Sequence, residues 1–375
     1  MKISGLQENI KNGLIAVAHI TGRNITLPIL NNILIEAKAG NIKLVTTDLE
    51  VGITSVIRGK VEKEGSFTVE SKIICDYISL LPNKKIDIEK KENKIVIHCD
   101  NYKTSIRGMQ ADEFPLIPTV DKKIYFKTKA EEFRQALAQV IFAVANTETR
   151  IELSGVLFVF NKEKLTMAAT DSYRLAEKEI KILTDTEEER KVIVPAKTLQ
   201  EVVRILGGFK SGGIDERSDE IQFYLSENQI LFIIGSTEVV SRIIEGQYPD
   251  YKQIIPLKSE TVALINRAEL IRAVKAASIF SKSGINDISL DLPLGKNQVV
   301  ISSASSQSGE NVTELDAAVN GKDNAIVINH RYFLDGINNI GSENVKLEIT
   351  NGNTPCVLKP EEGSDYLYII MPIKQ

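Results

Sequence analysis

The sequence contains few of the residues from which most catalytic and metal sites are built. Its 375 residues include only three histidines and three cysteines, and neither group has the spacing of metal ligands. The chain contains no G-x-S-x-G nucleophile turn, no G-x-x-x-x-G-K-[ST] phosphate loop and no H-E-x-x-H zinc motif. These absences argue against a serine hydrolase, a P-loop nucleotide-binding enzyme and a zinc protease. We predict no catalytic residue, no metal site and no cofactor.

The chain also lacks the features of a membrane or secreted protein. No apolar run approaches the ~20 residues that span a bilayer. Met1–Gly5 lacks the apolar segment that follows the start of a secretory signal. Cys75, Cys99 and Cys356 are scattered and odd in number, which favours reduced thiols. We therefore expect a cytoplasmic protein that does not associate with membranes.

The net charge of −4 is not typical of a general nucleic-acid binder. It does not exclude one, because binding depends on where the cations lie rather than on their sum. Hydrophobic residues make up 43% and charged residues 26% of the chain, as in ordinary globular proteins. A chain of this length can form two or three domains, each with its own core.

An internal repeat organises the sequence. Two β-rich runs end in Thr-Asp, at Asp48 and Asp171, and these aspartates lie 123 residues apart. The same interval separates Ile10 from Phe133, each of which begins an apolar stripe with helical spacing. A third stripe begins at Leu270, after a somewhat longer interval. The agreement between these separate features indicates repeated structural units.

Each repeat has the order helix, strands, helix, strands. The second helices begin near Lys72, Lys197 and Arg331, again at comparable intervals, and each follows a β-like run. We predict an α+β fold of three similar domains, with the helices on one face of antiparallel sheets. The predicted domains are residues 1–120 (N-terminal), 121–256 (central) and 257–375 (C-terminal).

The predicted helices carry basic residues outside their apolar stripes, and Arg23 follows the first helix. If all helices lie on one side of the sheets, these cations form a surface that binds phosphates without reading sequence. Ordinary solvated helix faces explain any single cation equally well, but the shared helical placement favours DNA. The cations on the helices are Lys11, Lys72, Arg134, Lys197, Arg204, Arg272, Lys275 and Arg331.

The turn at Asp171 allows two interpretations. Asp171 could act with Arg174 or Tyr173 in catalysis, although no positioned base or nucleophile accompanies them. Alternatively, Asp171 caps the turn, while Tyr173 and Arg174, residue types favoured in interfaces, dock a partner. A monomeric interaction scaffold whose basic faces never touch DNA is a further alternative.

Several segments together carry a resemblance to a known family. In their order and spacing they resemble the bacterial sliding clamps, the β subunits of DNA polymerase III, over essentially the whole chain. Each segment alone is a weak signal, whereas the set is specific. The segments are Thr26–Asn32, Thr47–Glu50, Ala169–Ala176, Val192–Pro195, Tyr248–Tyr251 and Ile369–Ile373.

The resemblance implies a head-to-tail homodimeric ring in which helices line a central hole and sheets lie outside. Such a ring slides along double-stranded DNA without sequence specificity and tethers the replicative polymerase, which makes synthesis processive through a raised effective concentration. The implied protein partners are the DNA polymerase III α subunit, the clamp loader, repair polymerases and mismatch-repair proteins, which bind through short clamp-binding peptides.

The resemblance also assigns residues to three surfaces. The DNA-binding residues are Arg23, Lys72 and Lys197. The dimer seam joins Thr104 and Ile106 of one protomer to Ile279 and Phe280 of the other. A groove between the second and third domains accepts the partner peptides. Its residues are Leu153, Thr170, Ser172, Tyr173, Arg174, Leu175, Pro249, Ile254, Pro355, Ile369, Met371 and Pro372.

Overall fold

The computed structural model describes residues 1–22, 26–147, 149–184, 186, 188–208, 219–282 and 284–374. The helices in these ranges are α1 (Gln7–Ala18), α2 (Ser71–Leu80), α3 (Ala130–Ile141), α4 (Ala196–Gly208), α5 (Arg267–Ser278) and α6 (His330–Asn338). None of these helices is long and apolar enough to cross a membrane.

The strands alternate with these helices along the chain. In chain order they are β1 (Lys2–Leu6), β2 (Asn32–Lys38), β3 (Asn41–Thr47), β4 (Val51–Ile57), β5 (Lys60–Lys63), β6 (Gly65–Glu70), β7 (Lys85–Lys91), β8 (Lys94–Cys99), β9 (Tyr102–Met109), β10 (Tyr125–Lys129), β11 (Gly155–Phe160), β12 (Lys164–Thr170), β13 (Arg174–Lys181), β14 (Leu183–Thr184), β15 (Arg190–Pro195), β16 (Glu220–Leu225), β17 (Gln229–Ile234), β18 (Thr237–Arg242), β19 (Thr261–Asn266), β20 (Asp287–Leu292), β21 (Gln298–Ser305), β22 (Gly309–Gly321), β23 (Asn324–Asn329), β24 (Asn344–Ile349), β25 (Cys356–Pro360) and β26 (Tyr366–Ile370).

The chain forms two compact units. Unit 1 comprises Met1–Arg134, Ile182–Glu187 and Lys197–Ile243, and unit 2 comprises Gln135–Lys181, Glu188–Ala196 and Ile244–Gln375. The sheet of unit 1 has the order β14-β10-β16-β17-β18-β4-β3-β2-β6-β9-β8-β7-β1-β5. The sheet of unit 2 has the order β15-β11-β12-β13-β26-β25-β24-β19-β22-β21-β20-β23.

The predicted repeat is present in the strand pairings. Three consecutive antiparallel strands recur as β2-β3-β4, β11-β12-β13 and β20-β21-β22. The apolar stripes of the first helices are buried, as Ile10, Phe133 and Leu270 are each at most 2% exposed. The predicted α+β class with three repeats is confirmed. The buried face of each first helix is the one that its 3.6-residue period predicts.

The middle repeat contributes strands to both units. Its strands β10, β14 and β16–β18 belong to the sheet of unit 1, whereas β11–β13 and β15 belong to the sheet of unit 2. Two antiparallel pairs extend the sheets from one repeat into the next, β18 with β4 and β13 with β26. The predicted boundaries at residues 120 and 256 stay predictions, since the compact units follow sheet continuity rather than repeat limits.

A glycine sets the approach of α6 to its sheet. A Cβ atom on Gly336 would lie 2.2 Å from the ring of Tyr368, and that tyrosine is fully buried. Glycine normally weakens a helix interior by about 1 kcal/mol relative to alanine. Here the missing side chain allows the helix to pack directly on the ring.

We expect Gly336→Ala to lower the free energy of unfolding by about 1–3 kcal/mol, because overpacking against the buried ring outweighs the gain in helix propensity. The measurement is urea unfolding of the purified protein. Gly207→Ala is the matched control, since a Cβ on this α4 glycine meets nothing within 4 Å. Equal effects of the two substitutions would contradict the close approach at Gly336.

Candidate functional site

The turn between β12 and β13 is built by the side chains of Thr170 and Asp171. The Oδ1 atom of Asp171 accepts the backbone N–H groups of Tyr173 and Arg174 at 2.9 and 3.0 Å. The hydroxyl of Thr170 donates to the carbonyl of Arg174 at 2.5 Å. Ser172 has a φ of +80°, a conformation that such side-chain bonds stabilise. The carboxylate of Asp171 therefore has a structural task.

The same turn occurs between β3 and β4. The Oδ1 atom of Asp48 accepts the N–H groups of Glu50 and Val51 at 3.1 and 2.8 Å. The hydroxyl of Thr47 donates to the carbonyl of Val51 at 2.9 Å, and Leu49 has a φ of +78°. Because both copies of the turn make these bonds, the aspartate has a structural role in the turn.

Arg174 cross-links the turn to the helices of unit 2. Its guanidinium donates to the Oδ2 atoms of Asp171 at 2.9 Å and of Asp335 at 2.5 Å. A further N–H donates to the carbonyl of Phe142 at 2.9 Å. The guanidinium carbon lies 4.6 Å from the centre of the Tyr332 ring. Only 11% of the side chain is exposed, so Arg174 acts here mainly as an internal brace.

Tyr173 forms an exposed rim beside this brace. Its ring stacks on Tyr332 with centroids 6.4 Å apart and an interplanar angle of 20°, yet 62% of the residue is exposed. Its carbonyl accepts the N–H of Met371 at 2.9 Å. The rim is therefore tied both to α6 and to the chain segment that follows β26.

The floor beside the rim is apolar and buried. Leu175 and Ile369 pair across β13 and β26 and are both fully buried. They belong to a cluster that also contains Leu157, Tyr251 and Val357. The predicted groove residue Leu153 is also buried, at 1% exposure.

The predicted groove also includes residues of the segment after Ile244. The hydroxyl of Tyr248 accepts the N–H of Thr170 at 3.1 Å, and burial raises the pKa of this tyrosine, so it stays protonated. Pro249 is half-buried and Ile254 is 37% exposed. The remaining predicted groove residues, Pro355, Met371 and Pro372, are half-buried around the ends of β25 and β26.

All twelve predicted groove residues thus lie in unit 2. The structure adds Tyr248, Tyr332, Asp335 and Phe142, which are not among the residues predicted for the groove. A signal for Asp335 was present, because an acidic residue follows the first cation of each second helix by four positions, at Asp76, Glu201 and Asp335. That spacing places each acid one helical turn beyond the cation.

The predicted DNA-binding residues occupy different situations. Arg23 lies outside the described residues. Lys72 is exposed in the first turn of α2. Lys197 is exposed in the first turn of α4, and its Nζ atom lies 2.5 Å from the Oδ2 atom of Asp48.

Two other helix cations are committed to structural bonds. Arg204 donates to the carbonyls of Ile15 and Ala16 at 3.1 and 2.7 Å, near the end of α1. It also donates to Glu201 at 2.9 Å. Arg134 pairs with Glu131 at 2.6 Å, one turn away on α3. These cations brace helices, so the basic character of the helix faces rests on the other basic residues.

The predicted seam residues lie beside two strand edges. Thr104 is half-buried and Ile106 buried on β9, while Ile279 is 71% exposed and Phe280 half-buried after α5. β9 pairs with β8 over residues 102–107 and with β6 only at Gly108 and Met109. β22 pairs with β21 over residues 309–316 and with β19 only over residues 317–321. Among the described residues, residues 102–107 and 309–316 each have one edge without a neighbouring strand.

Models of the three domains of the DNA polymerase III beta subunit match the chain. The N-terminal domain model matches residues 1–118, the central domain model residues 127–250 and the C-terminal domain model residues 252–374. The Beta sliding clamps of Staphylococcus epidermidis and Staphylococcus aureus are each 30% identical over 359 residues, which is 93% of both chains.

Solved structures agree with these matches. The DNA polymerase III subunit beta of Pseudomonas aeruginosa superposes with a TM-score of 0.93 at 25% identity, over 100% of both chains. The putative DNA polymerase III beta subunit of Eubacterium rectale gives a TM-score of 0.91 at 29% identity, again over 100% of both chains. The predicted resemblance is confirmed, and the alternative of an enzyme built on Asp171 is wrong, because the matching family is the sliding clamp of DNA polymerase III. The chain belongs to the DNA polymerase III beta subunit family and is a sliding clamp, a processivity factor without catalytic activity of its own.

Proposed function

We propose that this clamp is a head-to-tail homodimer that encloses double-stranded DNA and holds the replicative polymerase on it in the cytoplasm. Tethering replaces repeated encounters by a high effective concentration, so the polymerase rebinds before it diffuses away. The observation that carries this proposal is the pair of strand edges on β9 and β22. A long unpaired edge is a template for another chain, and two such edges on one protomer allow a closed head-to-tail assembly.

The two sheet extensions within the protomer support this seam. On one side of each extension, Ile53 of β4 and Ala176 of β13 are equivalent, because they pair with the equivalent residues Thr46 and Ala169. The third repeat has a counterpart of these two positions on β22. It is found by following residues that pair across successive neighbouring strands, which we call a ladder.

The ladder starts from the strand before each second helix. Ile193 and Val327 lie at the same distance before α4 and α6. Leu157 pairs with Ile193 and Ala168, and Ser289 pairs in the same way with Val327 and Ser302. Ala168 and Ser302 are therefore equivalent, and so are the residues that follow them.

The residue after Ser302 leads to the edge of β22. Ser303 is the counterpart of Ala169, and it pairs with Asn311 as Ala169 pairs with Ala176. Asn311 is therefore the third member of the set. It lies on the edge of β22 that has no neighbour among the described strands.

The strands on the other side of each extension are equivalent in the same way. Val239 of β18 pairs with Ile53, and Tyr368 of β26 pairs with Ala176. The ladder that leads to Val239 begins at Phe126 and passes through Phe223 and Phe232. Val239 is the last residue of this ladder. A matching ladder in the first repeat should end at its counterpart on β9.

The first repeat contains this matching ladder. It begins at Ile3, which precedes Phe126 by the same interval that separates Asp48 from Asp171. It passes through Ile88 and Ile97 and ends at Thr104. The two extensions within the protomer thus predict the register of the seam, in which Thr104 lies opposite Asn311 of the partner subunit.

This register also satisfies side-chain chemistry. Neighbouring positions on the outer face place Lys103 opposite Val312 of the partner subunit. The diagonal neighbours are then Glu310 and Glu314 of the partner subunit, and opposite charges in such positions stabilise strand pairs. On the other face, half-buried Thr104 meets the half-buried Asn311 of the partner subunit.

We expect a Thr104→Cys/Asn311→Cys variant to form a disulfide-linked dimer on mild oxidation, because directly opposed residues bring their Cα atoms within bridging range. The measurement is non-reducing electrophoresis with light scattering of the reduced protein. Each single cysteine variant is a control. A monomer at all concentrations, or more efficient bridging by a Lys103→Cys/Asn311→Cys variant, would contradict this seam.

The central hole of the proposed ring holds DNA by charge rather than by base contacts. Lys72 and Lys197 are exposed in the first turns of α2 and α4, where they can approach phosphates. Arg23 is assigned by sequence alone. Contacts of this kind are independent of sequence and weaken with salt, which is what sliding requires.

We expect the clamp, after loading by the clamp loader, to stay on closed circular DNA and to leave linear DNA from its ends. The reason is that enclosure, rather than affinity, retains a ring. Gel filtration of labelled clamp with circular DNA, before and after linearisation by a restriction enzyme, measures this. Equal retention on both forms would contradict enclosure.

We also propose that the groove beside Tyr173 binds the short, partly hydrophobic peptides of the polymerase α subunit, the clamp loader, repair polymerases and mismatch-repair proteins. The exposed ring of Tyr173 and the half-buried Met371 and Pro372 supply surface for such peptides, and the buried apolar cluster beneath them holds this surface in place. Aromatic anchors of this kind often dominate binding energy.

The turn of unit 1 offers a comparison with the turn at Tyr173. Gly52 pairs with Thr47 as Leu175 pairs with Thr170, so Gly52 and Leu175 are equivalent. A Cβ on Gly52 would lie 2.8 Å from the side chain of Ile117. The segment before β10 thus packs on this position, just as Tyr251 of the segment before β19 belongs to the same buried cluster as Leu175. The two turns differ instead at the position of Tyr173, where unit 1 carries Glu50, and the aromatic ring favours unit 2 as the place of peptide binding.

We expect Tyr173→Ala and Met371→Ala each to weaken binding of a polymerase C-terminal peptide by about tenfold or more, since loss of an interface anchor costs about 2 kcal/mol. Fluorescence anisotropy with a labelled peptide measures the affinity, and light scattering checks that the dimer is unchanged. Leu116→Ala is the control, because this leucine is 95% exposed in unit 1. Unchanged affinity in both groove variants would rule out this site.

A further inference from the structure

Asp48 holds the side chain of Lys197. The Nζ and Oδ2 atoms lie 2.5 Å apart, with 59% of the lysine side chain and 19% of the aspartate side chain exposed. The other carboxylate oxygen of Asp48 is fixed by the N–H groups of Glu50 and Val51. The hydrogen bond to Asp48 is the largest cause that raises the pKa of Lys197. The carboxylate is therefore positioned by its turn before it meets the lysine.

This arrangement follows from one difference between the repeats. At the equivalent turn of unit 2, the Oδ2 atom of Asp171 accepts the Nε–H of Arg174 at 2.9 Å. Val51 is the counterpart of Arg174, because each of their carbonyls accepts the threonine hydroxyl of its turn. Valine offers no donor, so the second oxygen of Asp48 is available to a side chain 149 residues further along the chain.

A lysine binds phosphate as a point charge, and a carboxylate in contact with it cancels most of that charge at longer range. A phosphate that approaches Lys197 must therefore displace Asp48 or tolerate its negative charge. The lysine end of the pair is exposed, so the pair contributes little to stability, and its main effect is on the field that DNA meets.

We propose that Asp48 attenuates the contact of Lys197 with DNA and so keeps the hold of the ring on the duplex weak enough for sliding. This inference rests on the proposed role of Lys197 at the DNA surface. Each phosphate contact that is removed lowers the dependence of affinity on salt by about 0.9 in the logarithmic slope. A ring that must move along DNA gains from fewer strong contacts.

The test uses Asp48→Asn in the full-length dimer. Asparagine retains the oxygen that accepts the two N–H groups, so the turn is preserved, while the ion pair is lost. Affinity for a short duplex is measured by fluorescence anisotropy over a series of salt concentrations. We expect tighter binding by severalfold and a slope steeper by about 0.9 for each added phosphate contact.

Asp100→Asn is the matched control, because it removes the same charge from the Lys84–Asp100 pair, whose atoms lie 2.6 Å apart elsewhere in unit 1. Binding by Asp48→Asn that is no tighter than binding by this control would overturn the inference. Lys197→Ala completes the cycle, since its loss of affinity must be larger when Asp48 is asparagine than when it is aspartate. Equal losses in the two backgrounds would also overturn it.

Failure of the proposed DNA surface has a separate signature. Lys72→Ala probes that surface without involving Asp48. If Lys72→Ala leaves affinity and salt dependence unchanged while Asp48→Asn does too, the DNA surface is wrong. If Lys72→Ala weakens binding but Asp48→Asn behaves as Asp100→Asn, the surface stands and the attenuation by Asp48 is wrong.

Discussion

The pairing of strand edges between successive repeats organises this molecule. Backbone N–H and C=O groups at an edge must be paired, covered or solvated. In unit 1 the edge of β4 is completed by β18, and in unit 2 the edge of β13 is completed by β26. Both extensions link consecutive repeats, which is why the middle repeat contributes to both compact units. The third repeat has no later repeat to pair with, and the edges of β22 and β9 become the proposed seam.

A second consequence of repetition is that one local motif acquires different tasks. The threonine and aspartate of each turn make the same backbone bonds at Asp48 and Asp171. The remaining carboxylate oxygen meets Arg174 in one copy and Lys197 in the other. The first choice braces the rim of the candidate groove, and the second places a negative charge beside a cation proposed to face DNA. The two copies therefore share the fold of the turn and differ in its electrostatic effect.

In each unit an arginine links a helix acid to carbonyl groups at the end of another helix. In unit 1, Arg204 of α4 joins Glu201 on the same helix to carbonyls near the end of α1. In unit 2, Arg174 joins Asp335 of α6 to the carbonyl of Phe142, just beyond α3. The two arginines come from different elements, yet each satisfies carbonyls that a helix end leaves without an internal partner. Arginines at two unrelated positions in the repeat therefore make the same kind of hydrogen bond to a helix end.

The sequence by itself determined the number of repeats, the order of their elements, the helix faces that are buried and the Asp-centred turns. These features depend on local periodicity and on bonds between residues a few positions apart, as at Asp171 and Tyr173. Family resemblance supplied the groove residues, but their division into the buried Leu175 and the exposed Tyr173 is a result of packing. Only the tertiary structure decided that Asp48 meets Lys197 and that Arg174 meets Asp335, at separations of 149 and 161 residues. The physical reason is that long-range pairing is set by which strand edges and helix ends come together, and no local pattern encodes that choice.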